Sequence, residues 1–308
     1  MTPIQNSSID LVVVLGPTAT GKTQLAVQIA DAIDSEIISA DSRQVYRKMD
    51  IGTGKDLSEY KLPHRFIPFH LIDILDPQQD HSVFDFQRNF YPKYQSMLNE
   101  GKCPVLCGGT GLYIESVLLG FKLCPVPPDE SLRAELSTCT IEDLREKLLT
   151  LKPEHHNTSD LIHRKRLIRA IEIAVHSGVE LEPPVTIQNP VVLGVTYPRD
   201  EVKKRITSRL KHRLELGMIE EVRSLLDSGI TFERLNYFGL EYRFIGQHLA
   251  GKLSWNDMFQ KLNTAIHQFS KRQMTFFRHM EKRGIVIHWI PYGNFETAIE
   301  LINARGKP

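Results

Sequence analysis

No apolar run in this 308-residue chain is longer than Leu11 to Leu15. A bilayer takes about 20 apolar residues to cross, so no membrane-spanning helix is expected. No apolar segment follows a basic N-terminal stretch, so no secretory leader is expected either. Cysteine is scarce, with only Cys103, Cys107, Cys124 and Cys139, and none of them form C-x-x-C. That argues against a zinc ribbon or a thioredoxin-type pair, and reduced thiols in a cytoplasmic protein are expected. The histidines show no metal-ligand spacing, and His155-His156 reads as an exposed cap or turn. Neither sign of charge dominates: the net formal charge is +1, so bulk charge does not announce a nucleic-acid partner. Repeats and low-complexity tracts are absent. The chain is 41% hydrophobic, enough for a real core and against a mostly disordered chain.

Alternation of strand and helix signals is what fills the chain. Asp10 to Leu15 is a β-branched run ended by Gly16 and suits a strand buried on both faces. Thr23 to Ala32 reads as a helix, Glu36 to Ala40 as a strand, and Phe84 to Leu98 as a helix. Pro104 to Cys107 is a further strand, and Gly111 to Leu119 the helix after it. This is the order of a parallel sheet covered on both sides. Breaks at Cys124-Pro-Val-Pro-Pro128 and Glu182-Pro-Pro184 flank a charged, helical stretch from Ser131 to about Ser177. A strand then resumes at Val191 to Thr196, followed by helices at about 199–228 and 255–282 and a last strand at 285–290. The expected architecture is an α/β phosphate-loop NTPase-like parallel sheet flanked by helices, with an all-helical insertion domain. Residues 1–122 and 190–308 would form the catalytic core and 123–189 the insertion.

Gly16-Pro17-Thr18-Ala19-Thr20-Gly21-Lys22-Thr23 fits G-x-x-x-x-G-K-[ST] without a mismatch, after a buried strand and opening a helix. Its glycines let the backbone wrap a phosphate, and its N–H groups and the helix terminus supply positive potential. Lys22 adds a mobile charge, and the Thr23 hydroxyl can ligate Mg²⁺. Such a loop says phosphate, not ATP. The acidic residue that usually ends a neighbouring strand in phosphate-loop ATPases is missing after Cys107, where Gly108-Gly109 stands. Asp41 ends the strand at 36–40 instead, either as metal ligand or general base, or as a plain turn cap.

Asp41-Ser-Arg-Gln-Val-Tyr46 running into Met49-Asp-Ile-Gly-Thr53 resembles the signature of the tRNA dimethylallyltransferases (tRNA isopentenyltransferases) of bacterial type. So do Pro63-His64, Leu71 to Pro77, Gly108-Gly-Thr-Gly-Leu-Tyr113 and Ser270-Lys-Arg-Gln273, in the family's order and over nearly the whole chain. The resemblance implies transfer of a dimethylallyl group from dimethylallyl diphosphate to the exocyclic amine of the adenosine beside the anticodon, with release of pyrophosphate. It implies that the loop from Gly16 to Thr23, Lys22, Arg209 and Mg²⁺ hold the diphosphate, and that Asp41 accepts or orients the amine proton. Thr110 would face the reacting groups across a channel, or else cap the helix that follows Gly109. The base must leave its stack to be reached. By resemblance, Asp41, Ser42, Arg43, Gln44, Thr110, Tyr242 and Arg243 contact the tRNA. Arg133, Lys165, Arg166, Leu167, Ile168 and Arg169 in the insertion would clasp the anticodon stem-loop. Gln44 can offer both a donor and an acceptor to a base edge. A monomer is expected.

Basic residues cluster locally: Arg164 to Arg166 with Arg169, Lys203 to Arg213, and Lys271 to Arg283. Arg205, Arg209 and Arg213 share one helix face, where like charges repel and phosphates opposite would relieve them. Phe269, Phe276, Phe277 and Trp289 read as core rather than base-stacking platforms. Six positions depart from the family pattern. Gly54-Lys55-Asp56 stands where Ala-Lys-Pro is common, Arg213 where Met is usual, Glu241 where Gly precedes Tyr-Arg, Ser270 for Ala and Phe276 for Trp. They are expected where tRNA binds, and so to bear on tRNA choice rather than chemistry. No C-terminal Cys/His zinc module like that of longer eukaryotic relatives is expected. The competing readings are an ATP-dependent small-molecule kinase, which the loop alone would favour, and an RNA-binding module with a vestigial loop.

Overall fold

The structure is a computed structural model that describes residues 9–153, 163–176 and 183–306. The chain divides into two compact units, 1–119 with 185–308, and 120–184.

In the first unit, β1 (Leu11–Leu15) is wholly buried, and its side chains alternate between two cores. Val12 and Val14 meet Leu25, Ala26 and Ile29 of α1 (Lys22–Ala32). Leu11, Val13 and Leu15 meet Phe86 and Phe90 of α2 (Val83–Asn99), together with α3 (Gly111–Leu118). That alternation is what an apolar run does in a sheet covered on both faces. Each such side chain fully buried contributes about 1.5–3 kcal/mol. β2 (Ile37–Ser39), β3 (Phe69–His70), β4 (Val105–Gly108), β5 (Pro190–Thr196) and β6 (Ile287–Pro291) complete a six-stranded parallel sheet of order β3-β2-β4-β1-β5-β6. Register pairs Leu15 with Gly108 on one side and Gly194 on the other. The phosphate loop therefore leaves the sheet centre at the strands' carboxyl ends, the usual place for a ligand in such folds.

The single helix expected over 199–228 is two. α7 (Arg199–Glu215) and α8 (Met218–Asp227) are separated by Gly217, whose φ of 97° no helix can contain. Three further helices had no expectation: α9 (Phe232–Phe238), α10 (Leu240–Leu249) and α12 (Phe295–Arg305), while α11 (Trp255–Lys282) runs as expected. Helices α7 to α11 build a third core around Ile206, Leu210, Met218, Phe238 and Leu262. Val45, Tyr46 and Met49 insert into it, which fastens the segment after β2 to the helices.

The second unit holds three helices among its described residues, α4 (Glu130–Ser137), α5 (Ile141–Leu151) and α6 (Arg164–Val175), around Leu136, Leu144, Leu148, Leu167 and Ile171. His155-His156 lies outside the described residues.

Candidate active site

β1 hands the chain to a loop that two left-handed residues bend back, Ala19 (φ 63°) and Gly21 (φ 77°). Gly16 has no room for a side chain, since a Cβ would meet Thr20 Oγ1 at 2.9 Å and the Val195 carbonyl at 3.0 Å. The buried Thr20 hydroxyl donates to the Pro17 carbonyl at 2.9 Å and ties the loop to itself. α1 opens at Lys22, so the loop amides and the helix terminus share one concave face. Burial pulls the Lys22 ammonium below its ordinary pKa, and Arg209 adds to that while Asp41 opposes it. The neighbouring Cys107 thiol is pushed up to about 12, chiefly by burial, and stays a neutral, inert group. All four cysteines are free thiols.

A residue with no assigned role in the sequence closes this loop from behind. The Gln273 side chain on α11 accepts the Thr18 N–H at 2.9 Å and donates to the Gly109 carbonyl at 2.9 Å. A Cβ at Gly109 would meet Gln273 Nε2 at 2.6 Å, which is why that turn needs glycine. The Ser270 to Gln273 segment stands out in the sequence, but nothing in it says where the amide points.

The sheet brings Asp41 and Thr110 together. β2 and β4 are neighbours, and a Cβ at Gly108 would collide with the Ala40 carbonyl. Thr110 begins α3, yet its hydroxyl makes no cap bond; it accepts the Ser42 N–H at 3.0 Å instead. Asp41 does cap a turn, Oδ1 accepting from Arg43 N at 2.9 Å and Gln44 N at 3.3 Å. Its second oxygen has no hydrogen bond among the described residues. The Gln44 amide is engaged at both ends, donating to the Gly54 carbonyl at 3.0 Å and accepting from Ser39 Oγ at 3.4 Å. The Arg43 guanidinium sits 4.7 Å from the Tyr237 ring centre.

The arginine stripe of α7 reaches the loop, exposed at Arg205, half-buried at Arg209 and buried at Arg213. Arg205 Nε donates to the Ala19 carbonyl at 2.8 Å, and Arg209 Nη1 to Thr18 Oγ1 at 3.4 Å. Arg209 and Arg213 both reach Asp56 Oδ2, at 2.8 and 3.5 Å. Burial alone would raise the Asp56 carboxyl, but the two guanidiniums outweigh it and hold the group below its ordinary pKa. Thr18, Arg209, Arg213 and Glu241 line one small cavity. Gly54, Asp56, Arg213 and Glu241 were expected beside tRNA. They gather around Arg209: α7 and α10 carry Arg213 and Glu241 there, and the loop before Leu57 brings Gly54 and Asp56 to the same guanidiniums. Phe276 packs its ring over Gly111, and Phe277 is core, whereas Phe269 is 40% exposed.

Other expected RNA contacts are placed variously. Tyr242 is buried and donates to Glu221 Oε1 at 2.8 Å, so its side chain is not available to RNA. The same carboxylate accepts the N–H groups of Asp50, Ile51 and Gly52 at 2.7 to 3.0 Å and shapes that loop. Arg243 is half-buried and stacks on Phe244 at 4.5 Å. In the second unit, Arg133 and Arg169 both bind the fully buried Glu172. Leu167 is fully buried in that unit's core, which corrects its assignment to an RNA surface, and the half-buried Ile168 packs against that core. Lys165 and Arg166 are exposed. A larger cavity of about 680 Å³ lies between α7 and α11, with Pro17 and Thr20 in its wall and Arg199, Lys203, Lys271 and Arg278 around it.

Comparison with known proteins follows the same lines. A family model described as IPP transferase matches residues 44–280, and one described as isopentenyl transferase matches residues 9–65. A tRNA dimethylallyltransferase 2 of Syntrophotalea carbinolica is 54% identical over 91% of this chain and 94% of its own length. One of Trichlorobacter lovleyi is 51% identical over 92% and 93%. The crystal structure of the tRNA isopentenylpyrophosphate transferase of Bacillus halodurans superposes with a TM-score of 0.68 at 32% identity, covering 96% of this chain and 95% of that one. Neither the kinase nor the vestigial-loop reading finds support among these relatives. With a family match over most of its length and relatives above half identity, the chain belongs to the IPP transferase family.

Proposed function

We propose that this protein transfers a dimethylallyl group from dimethylallyl diphosphate to the exocyclic amine of the adenosine next to the anticodon of tRNA, releasing pyrophosphate. The observation that carries the reading is the meeting of a complete phosphate loop with the Asp41–Thr110 pair at the carboxyl ends of adjacent strands. In the reaction the amine nitrogen bonds to C1 of the donor as the C1–oxygen bond breaks. The electron pair leaves with the diphosphate and the amine proton goes to a base. The loop amides from Gly16 to Thr23, Lys22 and Arg209 would stabilise charge growing on the leaving diphosphate. A lysine partly stripped of water binds such an anion more strongly than a solvated one. The unbonded oxygen of Asp41 would take the proton, while its other oxygen keeps the carboxylate aimed. Thr110, held by the Ser42 N–H, would keep a hydroxyl beside the amine.

Thr23 offers a hydroxyl oxygen, a donor that a hard divalent cation takes together with substrate phosphate and water, so this residue fits Mg²⁺. When bound, Mg²⁺ would neutralise diphosphate charge. The anticodon stem-loop would be met by exposed basic residues such as Lys165 and Arg166, through phosphate contacts rather than base readout. No helix among the described residues is long and apolar enough to cross a membrane. A monomer acting in the cytoplasm is consistent with a chemistry that needs one loop, one base and one RNA. The test is incubation with the donor and an anticodon stem-loop RNA, then digestion and mass analysis of the nucleosides. A prenylated adenosine at the position after the anticodon supports the reading, and an unmodified loop opposes it.

A further inference from the structure

Arg213 is only 8% exposed, and its Nε has no hydrogen-bond partner. Its Nη2 shares one oxygen, Asp56 Oδ2, with Nη2 of Arg209. Arg209 in turn touches Thr18 Oγ1 of the phosphate loop. A Cβ at Gly54 would collide with Arg213 Nη2 and lie 2.6 Å from Arg209 Nη2, so the backbone here is cut away for the two guanidiniums. Two planar cations converging on one oxygen beside a phosphate loop are built for an oxyanion. Asp56 has the freedom to leave. Its side chain is 44% exposed, its carboxylate hydrogen-bonds only to these arginines among the described residues, and it makes no side-chain cap for the 3-10 turn Leu57–Tyr60 that it precedes.

We propose that the Asp56 carboxylate is an internal stand-in for a phosphate group of the donor: it holds Arg209 and Arg213 together in the empty site and yields them to the diphosphate, so that Arg213 becomes a second phosphate-binding arginine. This rests on the reading that the loop takes a diphosphate. The stand-in keeps two like charges from facing each other with no anion between them. It also competes with the ligand, which weakens pyrophosphate binding and hastens its release.

The test is calorimetric titration of inorganic pyrophosphate into the full chain and its variants Asp56→Asn, Arg213→Met and the double variant, with thermal melts to confirm folding. Asparagine keeps the size of the side chain and tolerates the left-handed backbone (φ 37°) found there. Asp56→Asn is expected to bind pyrophosphate roughly 3- to 10-fold tighter, and Arg213→Met roughly 10-fold weaker, the scale of one charge-assisted contact. In the double variant, where Arg213 is already replaced, the gain from Asp56→Asn should shrink. Were Arg213→Met to fail to fold, Arg213→Lys keeps the charge without the fork and should fall between. Unchanged or weaker binding by Asp56→Asn would make Asp56 a strut for Arg209 and overturn the proposal, as would Arg213→Met binding like the parent. Parent protein that prenylates tRNA while the variants bind like the parent defeats the stand-in alone. Parent protein that neither binds pyrophosphate nor prenylates tRNA defeats the function reading, and the stand-in with it.

Discussion

Gln273 and Thr18 are 255 positions apart in the chain and joined by a 2.9 Å hydrogen bond, the amide oxygen of one accepting the loop N–H of the other. The same side chain donates to Gly109, so one glutamine ties α11 to both loops that flank the reaction site. Replacing it by Leu would leave a loop N–H and a carbonyl unpaired, at about 1–3 kcal/mol each. Gln273→Leu should lower the urea midpoint and raise KM for the donor diphosphate, while Gln273→Glu, which still accepts from Thr18, should keep more of the donor affinity. Urea titration beside donor saturation curves checks this, and a variant with parent-like KM would contradict it.

Asp41→Ala should reduce the rate of prenyl transfer by about 10²- to 10⁴-fold, the range for loss of a general base. Binding of tRNA should change little. Single-turnover transfer and a filter-binding assay on the same preparation separate the two, and near-parent turnover would show that another group takes the proton.

Lys22→Ala should weaken binding of dimethylallyl diphosphate by roughly tenfold or more, since a hydrogen bond to a charged group contributes about 1.5–3 kcal/mol. Calorimetry with the donor or a non-reactive analogue reads this directly. Unchanged affinity would remove Lys22 from the site.

How much of this was legible in the sequence depends on whether a feature is local. The phosphate loop was, because strand, glycines, lysine and helix are contiguous, and so was β1, because a buried parallel strand is a plain apolar run. α11 was legible from its length and periodicity. The two-residue β3 was not, since so short a strand has no period to detect, and neither were α9 and α10, whose boundary is the single residue Gly239. Arg213 read as one of a stripe facing phosphates, with no sign of its burial or of Asp56 against it, and Leu167 read as part of an RNA surface. The face a residue presents is set by what its helix packs against, and that is not written in the helix itself.

Within the second unit, Leu167 and the two basic residues before it should therefore behave oppositely. Leu167→Ala should destabilise that unit by about 2–5 kcal/mol through the cavity it leaves. Lys165→Ala with Arg166→Ala should leave stability nearly unchanged, weaken tRNA binding, and lower the salt slope of that binding by about 1 for each phosphate that is no longer neutralised. Equal effects of both changes on melting and on RNA affinity would contradict this division.

Glu36 gives the fold a pH signature away from the site. Burial would raise its carboxyl, but bonds from Lys102, His70 and Lys93 outweigh that and hold it at about 2, against an ordinary value of 4.5. The stabilisation is present above pH 4.5 and is lost as the pH falls through about 2. At neutral pH it is at most on the order of 3 kcal/mol. Glu36→Gln should lower stability at pH 7 and flatten its decline between about pH 5 and 2, as read by urea unfolding at several pH values. An unchanged acid profile would show that the cluster around Glu36 contributes little.

The most direct measurement supplies radiolabelled dimethylallyl diphosphate and ATP together to the purified protein, with a tRNA that carries adenosine next to the anticodon, with and without Mg²⁺. Label in a prenylated adenosine after digestion, with pyrophosphate released in equal amount and ATP left intact, is the predicted result. Unlabelled tRNA together with steady consumption of ATP would contradict it and return the loop to phosphoryl transfer.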